Sequence, residues 1–416
     1  MSRAYIVGGG LSGVAAAVAL AGQGRAVTLF EAAGQLGGRC RSYFDATLGA
    51  TIDNGNHLVL SGNQAVSRYL RTIGAHDALA GPERAEFAFV DIKHGDRWKL
   101  APNDGPLPWW IFSDGRRVPG TKASDYTRLA PLLTAGPKQR ISDVILCEGV
   151  LWERLIRPLL LAALNTAPEE ASAALAGAVL RETLAKGGQA YRPRIAQPSL
   201  AAAFVEPAQV HLVARGADIR LGARVRALTL GTNEVVALEL PEHTVALSPE
   251  DVVVLATPPW VTHDLLPNTT TPNEFRSIVN AHFKIAAPPG APAMLGLINA
   301  TAEWLFGFAD RISVTVSAAD AIVERDREAL ATTLWGDVAK AYGLSGPLPP
   351  WQIVKEKRAT FAATPEQAAR RPKAATAWRN LVLAGDWTDT GLPATIESAL
   401  RSGETAAHLA RSRTPV

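Results

Sequence analysis

The chain of 416 residues has little cysteine and almost no excess of charge of either sign. Its two cysteines, Cys40 and Cys147, lie far apart and without metal-ligand spacing, which excludes a disulfide framework and indicates no zinc site. Lys and Arg number 42 against 39 Asp and Glu. Because no run of like charge occurs, the sequence offers no basic stripe for a nucleic acid. We therefore expect neither a metal site nor a nucleic-acid partner.

Long apolar runs are missing too. No stretch reaches the roughly 18 apolar residues of a membrane-spanning helix. The first residues lack the basic segment, apolar core and cleavage site of a signal peptide. A cytoplasmic location is the expectation from these absences. The length of 416 residues corresponds to about two to three domains, which is enough chain for a large core.

The most informative pattern is a glycine-rich loop close to the start. The apolar segment 4–7 leads into Gly8, Gly10 and Gly13, spaced as Gly-x-Gly-x-x-Gly and followed by an apolar, alanine-rich segment. This is the fingerprint of a dinucleotide-binding strand, turn and helix. Gly8 permits the tight turn, Gly10 lets the backbone approach a pyrophosphate, and Gly13 allows the helix to pack closely on the strand.

Two adjoining features complete this pattern. Leu11 and Ser12 begin the predicted helix, whose N-terminal N–H groups favour an anion. The segment 26–30 predicts a second strand and leads to Glu31, whose carboxylate can accept hydrogen bonds from ribose hydroxyls. Strand, glycine loop, helix, strand and acid occur in the required order. The sequence therefore predicts a Rossmann-like α/β domain that binds a dinucleotide.

Further motifs lie near both ends of the chain. They are, in order, Gly38-Arg39, the segment 53–57 with Asn56 and His57, Gly385-Asp386, and Thr395-Ile396. In this arrangement the chain resembles the flavin amine oxidase and carotenoid desaturase superfamily. The resemblance implies FAD as the cofactor, bound by a domain of the glutathione-reductase type, and it implies that these motifs contact the cofactor.

The resemblance also implies individual contacts. Arg39 would lie at the pyrophosphate, Asp386 on the ribityl chain, and the backbone of Val225 at the adenine. A final helix beginning near Thr395 would point at the flavin pyrimidine ring, where a helix N-terminus stabilises the negative charge of a reduced flavin. For Glu397, in the first turn of that helix, a favourable interaction with the helix dipole is at least as good an explanation as a chemical role.

The FAD-binding domain must be discontinuous, because its predicted glycine loop and flavin helix lie at opposite ends of the chain. We assign it residues 1–75, 199–260 and 376–416. The remaining residues, 76–198 and 261–375, should pair in space as an α+β substrate domain with an antiparallel sheet and helices.

The predicted substrate domain is strongly apolar. Segment 151–166 has apolar side chains on nearly every face of a helix, and segment 106–112 contains two tryptophans and a phenylalanine. Such segments form a core, line a cavity for a long hydrocarbon, or dip into a membrane. Arg157 would be costly in an oily segment unless it is paired, and Glu153, four residues earlier, is the expected partner.

A narrower resemblance rests on four segments, 53–57, 157–166, 278–283 and 384–395. In these the chain looks like the hydroxysqualene dehydroxylases, bacterial enzymes of hopanoid biosynthesis. The resemblance implies a long-chain isoprenoid substrate and reductive removal of its hydroxyl, giving squalene and oxidised flavin. It leaves the electron donor open, and a peripheral position on the inner face of the cell membrane is compatible with it.

This chemistry needs an acid near the hydroxyl and a dry apolar tunnel. His57 is a candidate because an ordinary histidine titrates near neutrality, although it could instead hydrogen-bond the flavin or the backbone. Asn280 and His282 alternate on a predicted strand, so both should face the flavin or both a polar part of the core. Asn165 could hold the hydroxyl, but the end of the apolar helix also needs a cap.

Three alternatives remain at this stage. In a flavin amine oxidase, hydride would pass from the substrate to the flavin, the opposite direction. Lys284 lies near the position where many such enzymes carry a lysine. An oxidative carotenoid or isoprenoid desaturase would share the fold and the apolar substrate, because sequence does not set the direction of electron flow. A lipid carrier without chemistry would not need Gly10, Arg39 and Asp386 together.

Overall fold

The computed structural model describes residues 2–412, and its first layer is a five-stranded parallel sheet. Its strands are, in spatial order, β10 (Asp218–Leu221), β2 (Ala26–Glu31), β1 (Arg3–Val7), β14 (Val252–Leu255) and β20 (Leu381–Leu383). The last two are buried along their whole length. Continuous apolar strands of this kind are typical of a parallel sheet covered on both faces.

Helices from the two ends of the chain cover this sheet together. Helix α1 (Leu11–Gly22) packs against α11 (Ile396–Ser412). A Cβ atom at Gly403 would lie 2.4 Å from the carbonyl oxygen of Ser12. Because only glycine allows this separation, Gly403 brings the last helix into direct contact with the first.

The second layer is a seven-stranded sheet with one parallel pair, Phe87–Asp91 (β7) with Met294–Ile298 (β16), and its other pairs are antiparallel. Its strands are, in spatial order, β19 (Trp351–Phe361), β15 (Phe275–Phe283), β18 (Ile312–Val316), β17 (Trp304–Gly307), β16 (Met294–Ile298), β7 (Phe87–Asp91) and β8 (Arg97–Leu100).

The two faces of this second sheet differ in character. On one face, Val279, Ala281 and Val314 pack with helix α9 (Arg327–Tyr342) in one apolar cluster. Because side chains alternate along a strand, the residues between them point the other way. That opposite face carries hydroxyl, amide and imidazole groups from β15 and β18, together with aromatic rings from β7 and β17.

The remaining elements are short. The small sheets contain β3 (Ser42–Asp45) with β4 (Ala50–Asp53), β5 (Leu58–Leu60) and β6 (Leu79–Ala80) with β9 (Pro193–Ala196), and β11 (Ala227–Leu230), β12 (Val235–Glu239) and β13 (Thr244–Ala246). The other helices are α2 (Gln64–Thr72), α3 (Ala123–Thr127), α4 (Ile141–Val144), α5 (Arg157–Leu164), α6 (Ala173–Glu182), α7 (Glu206–Val213), α8 (Pro259–Leu265) and α10 (Pro365–Ala369).

The predicted ion pair between Glu153 and Arg157 is wrong. A π-helical turn at Trp152–Ile156 precedes α5, and Pro158 has no N–H to donate to the carbonyl four residues earlier. The wider turn breaks the i to i+4 relationship. Both side chains are exposed, and Arg157 Nε instead donates to the carboxylate of Glu169 at 3.2 Å.

The aromatic segment 106–112 is divided between core and surface. A 3₁₀ turn at Trp109–Phe112 buries Trp110 but leaves Trp109 65% and Phe112 66% exposed. Leu107 is exposed beside them. Within residues 2–412, no helix has the length and apolar character needed to cross a bilayer. The aromatic segment thus forms an apolar surface patch.

Candidate active site

The glycine loop borders open space at its middle glycine, on the side from which a large anion would approach. Gly8 adopts φ +109°, and a Cβ atom there would meet the carbonyl oxygen of Ala256 at 2.5 Å. At Gly13 a Cβ atom would meet Gly8 O at 2.0 Å. At Gly10, by contrast, a Cβ atom would meet nothing within 4 Å. The first and third glycines serve the protein's own packing, and the middle one faces empty space.

The start of α1 has the polarity that an anion requires. Gly10 is its N-cap, no side chain caps it, and its first turn contains no acidic residue. The first helical hydrogen bond runs from Val14 N to Gly10 O. The N–H groups of Leu11 and Ser12 therefore have no partner within the helix, and they carry the positive end of the helix dipole.

Glu31 holds this loop in shape. Its carboxylate accepts from Gly9 N at 2.6 Å and from Ala33 N at 2.7 Å, and a carboxylate has further lone pairs for a hydroxyl. The N–H of Ala223 donates to Glu31 O at 2.9 Å, and this contact brings the segment containing buried Val225 next to the end of β2.

Arg39 joins the glycine loop to the other end of the chain. Gly38 precedes it with φ +56°, and a Cβ atom on Gly38 would lie 3.2 Å from Gly10 Cα. Arg39 Nη2 donates to Asp386 Oδ1 at 2.7 Å, and Nη1 donates to Ala359 O. The Asp386 carboxylate raises the pKa of Arg39, against the lowering that burial causes. A cation and an anion from distant segments thus meet beside the open glycine.

The loop after β20 is held from behind by a residue that sequence inspection missed. Arg371 is buried and donates to the carbonyl oxygens of Asp386 at 3.3 Å, Trp387 at 3.4 Å and Thr388 at 2.5 Å. Its guanidinium lies 4.9 Å from the centre of the Phe361 ring. Burial lowers the pKa of Arg371 to about 10, so it remains a cation. No feature of the sequence distinguishes it from its neighbour Arg370.

Gly385 begins this loop at a crowded position. A Cβ atom there would lie 2.3 Å from Trp387 Nε1, so the tight turn requires glycine. The Gly385 N–H donates to Ser402 Oγ on α11 at 2.9 Å. Helix α11 begins at Ile396, and Thr395 Oγ1 accepts from Ser398 N at 3.1 Å. The loop and the start of the last helix therefore form one unit.

Glu397 has a structural task in this arrangement. It is buried, and its two carboxylate oxygens accept from Ala65 N and Val66 N, each at 3.1 Å. These N–H groups lie in the first turn of α2. Arg401 Nε also donates to Glu397, at 2.7 Å. The Glu397 carboxylate therefore caps the N-terminus of α2. It also binds Arg401 on its own helix, α11.

The segment Asp53–His57 lies directly against the seven-stranded sheet. His282 is fully buried, its Nε2 donates to Asp53 O at 3.0 Å, and its Nδ1 accepts from Ser313 Oγ at 2.8 Å. Asn280 Nδ2 donates to Asn54 O at 3.4 Å. Both side chains of β15 thus meet the same loop, as their alternation predicts.

Asn56 extends the same network. Its Nδ2 donates to Thr315 Oγ1 at 3.1 Å, and Thr315 Oγ1 in turn donates to Asn280 Oδ1 at 2.8 Å. A small cavity of about 10 Å³ adjoins Asn56 and His57 and is also lined by Phe306 and Phe308. Polar groups of the loop therefore face aromatic side chains of the second sheet at close range.

Neither histidine beside this loop titrates near neutrality. Desolvation and the Arg39 charge lower the pKa of His57 to about 4, although the Arg39 backbone opposes this through a hydrogen bond. Burial and the Arg311 charge lower the pKa of His282 to about 4. The expectation that His57 has a pKa suited to proton donation near neutrality is wrong, because the neighbouring guanidinium and the loss of water both favour neutral imidazole.

Asn165 lies at the end of the apolar helix, and its side chain forms hydrogen bonds with β15, β19 and the segment after β18. It is the C-cap of α5 with φ +48°. Its Nδ2 donates to Thr360 Oγ1 at 3.0 Å, and its Oδ1 accepts from Ala318 N at 2.6 Å. The amide thus fastens the helix end to the second sheet, and its hydrogen bonds are with protein groups.

Comparison with known proteins decides the family. The family of flavin-containing amine oxidoreductases matches residues 11–410. The chain is 55% identical over 406 residues to a hydroxysqualene dehydroxylase of Rhodopseudomonas palustris, with 97% of each chain covered. It is 51% identical to that of Sinorhizobium fredii, with 99% of this chain and 98% of the relative covered. The chain belongs to the hydroxysqualene dehydroxylase family.

Solved structures agree with the fold. A cyclohexylamine oxidase from Brevibacterium oxydans has a TM-score of 0.72 at 15% identity and 99% coverage of both chains. A putrescine oxidase has a TM-score of 0.70 at 17% identity, with 98% of both chains covered. At this identity the similarity concerns the fold, which is the predicted Rossmann-like FAD fold with a second, mixed α and β part.

As a family member, the chain is an FAD-dependent oxidoreductase, and its residues fit that cofactor. Open space over Gly10 and the uncapped start of α1 fit a pyrophosphate. Glu31 fits a ribose, and Arg39 and Asp386 fit charged or hydroxylated parts between the two halves of FAD. The glycine fingerprint predicts Gly10 and Glu31, and the family resemblance predicts Arg39 and Asp386. Arg371 and the capping role of Glu397 emerge only from the structure.

Proposed function

We propose that this enzyme removes the hydroxyl of hydroxysqualene to give squalene, using hydride from reduced FAD, in hopanoid or triterpene biosynthesis. The observation that carries this proposal is the similarity to dehydroxylases over 97% of the chain at 55% identity. The aromatic side chains that face the Asp53–His57 loop support it, because a long isoprenoid needs an apolar wall.

The proposal divides the chain between cofactor and substrate. Residues 1–75, 199–260 and 376–416 would bind FAD, and residues 76–198 and 261–375 would bind the isoprenoid. The proposed cofactor contacts are those that the glycine fingerprint and the family resemblance predict. They are Gly8, Gly10, Leu11, Ser12, Gly13, Glu31, Gly38, Arg39, Asn56, His57, Val225, Gly385, Asp386, Thr395 and Ile396.

When bound, the reduced flavin would supply a hydride to a substrate carbon. The protein's part is to exclude water and to position that carbon. Loss of the allylic hydroxyl as water leaves a delocalised cation, which bulk water would recapture. Phe306 and Phe308 line the small cavity beside His57 and would exclude water there. Holding the substrate carbon in a fixed position beside the flavin should supply much of the acceleration.

The four predicted catalytic residues receive different roles. We propose that His57 and Asn280, at the edge of the apolar wall, orient the flavin or the hydroxyl as neutral hydrogen-bonding groups. His282, bonded to Asp53 O and Ser313 Oγ, would position the loop. Asn165, fully engaged at the end of α5, would keep the apolar helix in register with the sheet.

The amine oxidase alternative finds little support at Lys284. Its Nζ lies 3.4 Å from the position of a Cβ atom on Gly49. Gly49 precedes β4, so the amine lies near the far end of that strand rather than at the Asp53–His57 loop. A lysine that takes part in the flavin reaction would have to lie at the Asp53–His57 loop.

The enzyme should collect its substrate from a membrane surface. The patch formed by Leu107, Trp109 and Phe112 is exposed, and aromatic side chains of this kind favour the bilayer interface. We propose peripheral attachment to the inner face of the cell membrane through this patch. The electron donor is not assigned.

Product analysis tests the proposed function. Purified enzyme that has been reduced without oxygen is incubated with hydroxysqualene, and the products are separated by gas chromatography. The proposal predicts squalene. A conjugated polyene formed by the oxidised enzyme from squalene would identify a desaturase, and an aldehyde formed from an amine would identify an oxidase. Either product in place of squalene would refute the proposal.

A further inference from the structure

The proposed chemistry needs a proton donor, and the residues around the Asp53–His57 loop do not provide one. His57 and His282 are neutral near pH 7, because desolvation lowers both pKa values to about 4. Burial raises the pKa of Asp53, but its Oδ1 accepts from Ser42 Oγ at 2.6 Å and from Leu200 N at 2.9 Å, and both contacts favour the ionised carboxylate. The acid must therefore come from another element.

Strand β18 carries a row of hydroxyl side chains toward the loop. Ser313 and Thr315 alternate along the strand and hydrogen-bond the two site residues of β15, each at 2.8 Å. Ser317 is the next residue in this alternation, and its N–H donates to Glu303 Oε2 at 2.8 Å. Residues two apart on a strand are separated by about 6.5–7 Å. The Glu303 carboxylate therefore contacts the chain about that distance beyond Thr315.

The backbone around Glu303 is fixed by the second sheet. Its N–H donates to Thr315 O at 3.2 Å, and its carbonyl accepts from Leu297 N at 2.8 Å. The next residue, Trp304, packs its ring against Phe89 at 5.6 Å between ring centres. Glu303 therefore stands on a rigid element at the border of the aromatic cluster, and its side chain is neither fully buried nor fully exposed.

The carboxylate of Glu303 has no counter-ion in the part of the chain that the structure describes. Two charged groups of neighbouring elements are occupied by other partners. Arg157 of α5 acts on Glu303 electrostatically but forms an ion pair with Glu169. Asp337 of α9 accepts from the N–H groups of residues 301 and 302. Burial raises the pKa of Glu303 to about 7, although its hydrogen bonds to Ser317 oppose this.

We propose that Glu303 is the acid that protonates the departing hydroxyl of the substrate. This inference rests on the proposed function and deepens it. The row from His282 through Thr315 to Glu303 would run beside the isoprenoid, with polar groups on one side of an otherwise apolar channel. The hydroxyl would lie at the end of the row where an uncharged carboxyl can reach it.

The step balances without a further reagent. The O–H bond of the Glu303 carboxyl breaks, and its proton goes to the hydroxyl oxygen. The carbon–oxygen bond then breaks, and water leaves with the bonding electron pair. A reduced flavin bound at the site would supply the hydride, with its two electrons, that the allylic carbon accepts, and would be oxidised in doing so. Solvent returns a proton to Glu303 after water and squalene leave.

Substitution of Glu303→Gln tests this role, because glutamine keeps the shape and the bond to Ser317 N but has no acidic proton. In anaerobic single turnovers with hydroxysqualene, flavin oxidation should slow by about 100-fold or more. The wild-type rate should fall as the pH rises through about 7, since the acid loses its proton. The slow rate of E303Q should not change over that range.

Three further measurements separate this role from a structural one. E303Q should retain bound FAD and the wild-type rate of reoxidation by oxygen. E303D, which keeps an acid, should recover part of the lost rate. Infrared difference spectra should contain a carboxyl that titrates near pH 7 in the wild type and is missing from E303Q. The exposed control Glu242→Gln should keep the wild-type rate.

The outcomes distinguish the two proposals. An E303Q variant with the wild-type rate, or one that keeps the fall in rate near pH 7, would overturn the role of Glu303. A wild-type enzyme that forms no squalene from hydroxysqualene would overturn the proposed function instead. In that event the infrared titration would still report whether Glu303 is protonated at neutral pH.

Discussion

Arg39 Nη2 and Asp386 Oδ1 lie 2.7 Å apart, although 347 residues separate them in the sequence. The ion pair lies beside Gly38, which contacts the open glycine loop at Gly10. Two charged groups that the two ends of the chain supply therefore meet at the proposed junction of pyrophosphate and ribityl chain. We therefore expect cofactor binding to need both ends of the chain.

Arg39→Met should weaken FAD binding. Charge-assisted hydrogen bonds contribute about 1.5–3 kcal/mol, so affinity should fall roughly 10- to 100-fold. Titration of apoprotein with FAD, followed by flavin fluorescence, measures the change. Arg68→Met is the control. It removes the ion pair with Glu404 on α11 and should leave the affinity for FAD unchanged. Equal FAD affinity in R39M and the wild type would refute the proposed position of Arg39.

Gly10→Val should abolish FAD binding without unfolding the protein. Gly10 has φ −69° and ψ 171°, which valine adopts readily, and its Cβ atom would enter empty space. That space is where the pyrophosphate should lie. Gly13→Val is the contrasting variant, because a Cβ atom there would lie 2.0 Å from Gly8 O. G10V should keep the apoprotein's unfolding temperature, whereas G13V should lower it; FAD bound normally by G10V would contradict the account.

Arg371→Met should destabilise the loop that carries Asp386. The buried carbonyls of Asp386 and Thr388 would lose their donor, at a cost of about 1–3 kcal/mol each. Urea unfolding of the apoprotein and FAD titration measure the two effects. Arg370→Met removes a neighbouring guanidinium that donates to Thr271 O and should affect FAD binding much less. Equal effects of the two substitutions would argue against a special role for Arg371.

Acid should destabilise the folded protein partly through His282. Its pKa in the folded state is about 4, below the ordinary value of 6.5. As the pH falls from 6.5 toward 4, the unfolded chain binds a proton that the folded chain does not. Between pH 7 and pH 5 this linkage lowers the free energy of unfolding by about 2 kcal/mol.

His282→Gln should flatten that part of the pH profile. Urea unfolding at the two pH values measures the difference. His76→Gln, at an exposed position, should leave the profile as it is. If H282Q lost as much stability on acidification as the wild type, His282 would not be the buried neutral group described above.

The exposed aromatic patch should determine membrane attachment. Trp109→Ser combined with Phe112→Ser removes the two rings that are 65% and 66% exposed. Binding to vesicles of anionic lipid should fall by about tenfold or more, because buried apolar area drives such binding. Val210→Ser removes a 70% exposed apolar side chain on α7 and should have no effect. Cosedimentation measures binding, and an unchanged double variant would refute the membrane role.

The cofactor half of the site is predictable from sequence because its chemistry is local. Gly8, Gly10 and Gly13 act through backbone geometry within one turn, and the strand and helix around them have continuous apolar patterns. Arg39 and Asp386 were named through a family resemblance. Their contact, however, depends on the tertiary fold. The two residues are 347 positions apart, and sequence spacing over that distance does not predict a contact.

The substrate half is less predictable because burial and helix geometry decide it. The predicted ion pair between Glu153 and Arg157 does not form, because Pro158 and a π-helical turn change the helical register. Residue type alone predicts proton transfer by His57, but desolvation and the Arg39 charge lower its pKa. Glu303 carries no motif, and its distinguishing environment arises only when β17 and β18 pair.

The direction of hydride transfer is the central claim, and isotope labelling tests it most directly. Enzyme is reduced without oxygen in deuterated water, where the transferable hydrogen of the flavin exchanges with solvent, and one turnover with hydroxysqualene is allowed. The account predicts squalene with one deuterium on the carbon that lost its hydroxyl. Squalene without deuterium, or no squalene while the flavin stays reduced, would contradict it.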